Sequence, residues 1–250
     1  MHVFISVRKL IKTTLIICIL ISNVSNALAD GVNGVSFNFT RLVLTEKDKN
    51  GVTFKAHNNN PFPVLIQAWG SNLDTITGSV LDSSGSEEIP FIVLPPLQRV
   101  EPDEDFILRV RFNGKSIKEN TESVYLLSFK AIPISKSSSD NELLMTVVTN
   151  LKVFIRNKLH ESGGISSAAH KVSSFWVPEG IIIKNPTPYW LTLSSMKVDK
   201  MEIDKELLLK MVEPMSSTLY KWDKGKPKEI QVKFIDEYSM DTPSIILKVE

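Results

Sequence analysis

Residues 143–155 read Leu-Leu-Met-Thr-Val-Val-Thr-Asn-Leu-Lys-Val-Phe-Ile. A strand in a two-layered sandwich ordinarily shows one apolar face to the core and one polar face to water. Here Leu143, Met145, Val147 and Leu151 share one parity while Leu144, Val148 and Phe154 share the other, so both faces ask for burial. Two arrangements answer that demand. One is a central strand in a fully covered sheet; the other is an edge or near-edge strand whose second face and free backbone groups take up a partner by strand addition. Lys152 favours the second, because a buried ammonium without a partner costs several kcal/mol. A cation set among apolar residues points to a carboxylate supplied by a ligand.

The same period of two runs outward through the chain, in short β-rich runs punctuated by Pro, Gly, Asn and Ser. The pattern predicts an all-β protein. Strands are expected at 35–44, 51–58, 64–69, 91–94, 106–112, 123–132, 143–155, 175–184, 190–198, 217–220, 229–235 and 244–249, with a helix only at 204–212. Asp48-Lys49-Asn50-Gly51 is a turn, and Pro61-Phe62-Pro63 withholds two backbone donors just before a strand. Residues 158–174 lack the apolar periodicity on either side and read as a linker. Seven strands before it and five after suggest two immunoglobulin-like β-sandwich domains, at 30–157 and 175–250.

Composition narrows the function. The chain has 250 residues, 42% apolar, with a formal charge of +1, which excludes disordered, collagenous and polytopic membrane proteins. Its 29 basic residues are dispersed among 28 acids, so no basic patch marks it for nucleic acid. Residues 1–29 read as a signal peptide: Arg8, Lys9 and Lys12 without an acid, an apolar run from Leu15 to Val24, then Ala27-Leu28-Ala29 at the peptidase spacing. Cleavage is expected after Ala29; an uncleaved anchor would need about 20 apolar residues. Cys18, the single cysteine, lies in that leader, and the bulky Ile17 before it does not suit a lipoprotein signal. The mature chain then has no disulfide, no thiolate metal site and no cysteine nucleophile.

Enzyme chemistry finds no foothold either. His57, His160 and His170 stand outside any ligand spacing, and there is no GxSxG, Walker loop or GxGxxG. Acid pairs such as Glu87-Glu88 fall in polar, turn-like stretches, and Trp69, Trp176, Trp190 and Trp222 are scattered as core residues are. The expectation is a protein with no cofactor, no metal and no small-molecule substrate.

Several blocks stand in a specific order: Thr40-Arg41, Gln67-Ala68-Trp69, Pro95-Pro96-Leu97-Gln98-Arg99-Val100-Glu101-Pro102, residues 126–133, Leu151-Lys152-Val153-Phe154-Ile155-Arg156, and Lys184-Asn185-Pro186-Thr187-Pro188-Tyr189. By these the chain resembles the periplasmic chaperones of the chaperone-usher pathway, over nearly all of its mature length. The resemblance implies two immunoglobulin-like sandwiches in an L-shaped, boomerang arrangement with a cleft between them. It implies that Arg41 and Lys152 grip the terminal carboxylate of a pilin, and that Leu143, Met145 and Val147 lie in the subunit's open groove as a donated strand. It also implies that Glu122, Arg156 and Asp236 form a network fixing the interdomain angle. The partners it implies are pilin subunits and an outer-membrane usher, in the periplasm, with self-association through the donor strand as a further property to test. The short connection 134–142 and the absence of a disulfide pair resemble the short-loop group. A secreted two-sandwich adhesin or carbohydrate-binding module is the alternative of a different class.

Overall fold

The structure is a computed structural model that describes residues 33–81, 88–134, 146–157 and 164–249. Among the described residues nine strands build the first sandwich: β1 Val35–Ser36, β2 Arg41–Thr45, β3 Val52–Asn58, β4 Val64–Ser71, β5 Phe91–Leu94, β6 Leu97–Val100, β7 Asp105–Phe112, β8 Ser123–Pro133 and β9 Val148–Arg156. They form one sheet in the order β1-β3-β7-β5 and a second in the order β2-β9-β8-β4-β6. The alternation along each strand places Leu44, Ile66, Leu108, Leu127, Val153 and Ile155 between the sheets, all essentially inaccessible. Each such side chain contributes about 1.5–3 kcal/mol of burial before ordering costs.

The second sandwich contains helix α1 Gly164–Ala169, then β10 Ser173–Val177, β11 Gly180–Asn185, β12 Leu193–Val198, β13 Met201–Glu202, a 3₁₀ turn Lys205–Leu209, β14 Ser216–Lys221, β15 Ile230–Phe234 and β16 Ile245–Leu247. Its sheets run β10-β11-β14 and β13-β12-β15-β16, around a core that includes Ile181, Leu191, Val198, Val232 and Phe234.

Four expectations need correction. The stretch 35–44 is two strands in two different sheets, because the chain crosses between layers before Arg41. The stretch 175–184 is a hairpin: Pro178 and Gly180 turn the chain, and Gly180 passes so close to the Tyr220 carbonyl that a Cβ would collide with it. The linker expected at 158–174 is regular structure over much of its described part, 164–174. Ile165, Ala168 and Ala169, spaced i, i+3, i+4, bury one face of α1 in the second core, and β10 begins at Ser173. The helix expected at 204–212 is the shorter 3₁₀ turn, started by the Asp204 side chain accepting from Glu206 N–H.

Candidate functional site

Within β9 one half is central and the other has a free edge among the described residues. From Lys152 onward it is a central strand, with β8 antiparallel on one side and β2 parallel on the other. The parallel ladder opens at Arg41↔Lys152 and runs to Thr45↔Arg156, so β2 covers nothing before residue 152. From Val148 to Leu151 the strand pairs with β8 only, and its other edge carries unpaired backbone groups among the described residues. Val147, immediately before β9, is 72% exposed, and Val148 is also exposed. Leu143 and Met145 lie outside the described residues.

Arg41 and Lys152 face each other where the covered half ends and the open half begins. Their parity puts them on the sheet face away from the first core, the face that turns to the second sandwich. Arg41 is buried at 5% exposure, its Nη1 donates to the Ile235 carbonyl of the second sandwich at 2.9 Å, and its guanidinium lies 4.8 Å over the Phe154 ring. Its Nε is buried without a partner among the described residues, a cost of about 1–3 kcal/mol. Burial pulls its pKa down to about 10, against the opposing influence of Glu122, Glu237 and Asp236. Lys152 is the more open of the two. Burial first, and Arg41 second, pull its pKa down to about 8. No acid pairs with it among the described residues. Two cations of low hydration, one fixed from behind and one reachable, form a site for an anion, and a carboxylate at Lys152 would relieve both.

The junction behind this pair is held by side chains from both sandwiches. Buried Glu122 accepts from Arg156 Nε at 2.6 Å through Oε1 and from Trp190 N–H at 2.8 Å through Oε2. Its own N–H donates to the Pro188 carbonyl, and its carbonyl accepts from the Trp190 indole at 3.0 Å. Burial pushes the Glu122 carboxyl up to about 7, against the pull of Arg156 and the Trp190 N–H. Burial works to lower the Arg156 pKa, yet Glu122 and Glu237 hold it above the ordinary arginine value. Arg156 also stacks 4.6 Å over the Tyr189 ring.

The third expected member of this network was Asp236, and that is corrected. The second acid on Arg156 is Glu237, whose Oε1 accepts from Arg156 Nη1 at 2.8 Å and from Ile165 N–H of α1 at 2.9 Å. Asp236 Oδ1 instead accepts from the N–H groups of Tyr238 and Met240, which closes a turn and aims its neighbour inward. In the sequence the two acids are adjacent and chemically alike, so only the turn tells them apart. Trp190 was read as a core residue; it packs with Leu73, Leu126, Phe154 and Met211 in an apolar seam shared by the two sandwiches.

The Asn-Pro-Thr-Pro-Tyr block explains how that seam is aimed. Asn185 is fully buried, and its Nδ2 donates to the Tyr189 carbonyl at 2.7 Å while its Oδ1 accepts from the Thr187 N–H and hydroxyl. The two prolines need no donors satisfied, so one asparagine suffices to fix a corner. The corner presents Pro188, Tyr189 and Trp190 to Glu122 and Arg156. The other block, Pro95-Pro96-Leu97-Gln98-Arg99-Val100, begins at a cis Leu94–Pro95 bond and continues as β6 on the edge of β4.

Residues 34–159 match the family described as the pili and flagellar-assembly chaperone, PapD N-terminal domain, and residues 167–243 match the pili assembly chaperone PapD, C-terminal domain. The "Probable fimbrial chaperone protein ElfD" of Escherichia coli (strain K12) is 26% identical over 245 residues, 97% of this chain and 98% of that one. The chaperone protein FimB/FhaD of Bordetella pertussis (strain Tohama I) is 29% identical over 198 residues, 76% of this chain and 79% of that one. In fold, the chain is similar to the structure of the Salmonella enterica SafA pilin in complex with the SafB chaperone, with a TM-score of 0.73 at 20% identity, covering 87% of this chain and 97% of that one.

Proposed function

Since the chain belongs to the PapD family of pilus-assembly chaperones, we propose that it captures pilin subunits by donating β9 and the residues before it to their incomplete sandwiches, and passes them to an outer-membrane usher. The observation that carries this reading is the register Arg41↔Lys152, which sets a pair of cations at the point where the free edge of β9 stops.

That arrangement dictates the polarity of the added strand. A chain that pairs with the free edge must lie beside residues before Leu151, and its terminal carboxylate must reach Lys152 at the end of that edge. It therefore runs in the same direction as β9, continuing the line of β2. Val147, with Leu143 and Met145 on the same parity, would then enter the apolar groove of the subunit. The flexible methionine at the middle position suits more than one subunit. Glu122, Arg156 and Glu237, rather than Asp236, hold the two sandwiches for this task. Buried ion pairs repay their desolvation poorly, so orientation and not stability is their purpose.

The family is one of chaperones, which is not an enzyme class, and it is periplasmic. The leader at 1–29 would deliver the chain there, with cleavage after Ala29. We place the first sandwich at 30–157 and begin the second at α1, earlier than the sequence pattern suggested. The test is co-expression in a periplasm with a pilin and recovery through a tag on this chain. A stoichiometric complex that Lys152→Ala abolishes, with the fold intact by circular dichroism, is the expected result; normal recovery with Lys152→Ala would overturn the anchor.

A further inference from the structure

A row of polar side chains crosses the sheet beside the anchor and is not used by the capture reaction as described. Ser71 Oγ of β4 lies 2.8 Å from Ser128 Oγ of β8, and the Ser128 hydroxyl donates to Asn150 Oδ1 of β9 at 2.7 Å. Ser128 is fully buried, Ser71 nearly so, and Asn150 is exposed. A carboxamide oxygen only accepts, so the Ser128 proton is committed to Asn150, and the Ser128 lone pairs are left to accept from Ser71. The chain has one direction. Its result is that Oδ1 of Asn150 is tied to the sheet while Nδ2, with two donors, faces the open side, where no acceptor meets it among the described residues. Two buried serines could satisfy each other; extending the row to a surface amide orients that amide.

Asn150 has the parity of Lys152 and sits two residues before it, directly across from Ser128. On its other side β9 is unpaired at this level among the described residues, because β2 begins opposite Lys152. A strand added in parallel with its carboxylate at Lys152 has its third residue from the end beside Asn150, roughly 6–7 Å back along the strand, with the side chain on the same face. Resting on the capture reading above, we propose that Asn150 is a specificity-determining residue that reads a hydrogen-bond acceptor (Ser, Thr, Asn or Asp) on the captured chain at the third position from its carboxyl terminus. Ser128 is the positioning residue that aims it.

The test uses the mature chain and two labelled synthetic peptides of alternating Val and Thr with a free carboxyl terminus, identical except for Ser or Ala at the third position from the end, with binding read by anisotropy. The Ser peptide is expected to bind tighter on the order of two- to tenfold, the worth of one net hydrogen bond. Asn150→Ala should bring that ratio to one while leaving the carboxylate dependence intact. Ser128→Ala, which touches no peptide, should shrink the ratio. Because the readout is a ratio between two peptides on one protein, a general loss of folding does not mimic it. A preference for Ser that survives Asn150→Ala, or no preference at all in the parent, overturns the assignment of Asn150 alone. A free acid peptide that binds no better than its C-terminal amide overturns the anchor, and the Asn150 reading with it.

Discussion

Lys152 is a cation kept beside another cation with no acid to balance it among the described residues, and that is a cost to the free protein. The folded amine releases its proton near pH 8 and an unfolded lysine near 10.5, so the penalty is fully present below about 8 and fades as pH rises from there to about 10.5. Lys152→Met removes the charge and keeps the stem. It should raise the stability of the free chain at pH 7 by about 1–2 kcal/mol, read as a higher urea midpoint, while abolishing pilin capture. A variant of lower stability would show that the ammonium is paired in the folded protein. The same titration sets a pH dependence for binding. Below about 8 the ammonium is charged and attracts the carboxylate; above it the charge is lost while Arg41, near 10, keeps its own. Affinity for a pilin should therefore fall between pH 7 and pH 9 in the parent and stay level in Lys152→Arg, compared by calorimetry at both pH values.

At the scale of elements, the open half of β9 and the start of α1 carry the argument. Val147 is 72% exposed, so Val147→Asp should leave the unfolding free energy of the free chain within about 0.5 kcal/mol of the parent, yet block the complex by carrying a carboxylate into an apolar groove. A preserved complex would show that this parity does not face the subunit. Gly164 opens α1 with φ +50, and a Cβ there would land on the Glu237 carboxylate that holds Arg156. Gly164→Ala should cost about 1–3 kcal/mol through strain and the displaced acid, measured by chemical denaturation. The strand itself was legible in the sequence because a lysine among apolar residues of both parities has few explanations. Other elements were not. The segment 164–169 has the i, i+3, i+4 spacing of a buried helix face, but with two alanines and one isoleucine it is too short and too weakly apolar to stand out. Residues 97–100 were visible as a motif without being visible as an edge strand, since their burial alternates only weakly against β4. Glu237 could not be separated from Asp236, because the choice depends on which of two neighbours closes a turn.

For the molecule as a whole, the question is what keeps the two sandwiches in place around the anchor. The apolar seam of Leu126, Phe154, Trp190 and Met211 supplies contact, while Glu122 supplies direction by engaging Arg156 and both nitrogens of Trp190, backbone and indole. Glu122→Ala leaves Arg156 with Glu237 alone and orphans the Trp190 N–H. It should destabilise the protein by about 3 kcal/mol and broaden the distribution of interdomain angles seen by small-angle scattering. Scattering indistinguishable from the parent would assign orientation to the apolar seam instead. A junction of this kind also explains why Arg41 is buried: its bond to the Ile235 carbonyl makes the position of the second sandwich part of the anion site. The most direct measurement is the pKa of the Lys152 amine, followed by heteronuclear NMR in the free chain and in its complex with a pilin. A terminal carboxylate held at this site requires the value to rise from about 8 in the free protein towards or beyond that of an ordinary lysine in the complex. An unchanged value in a stoichiometric complex would mean that the subunit's terminus is held elsewhere.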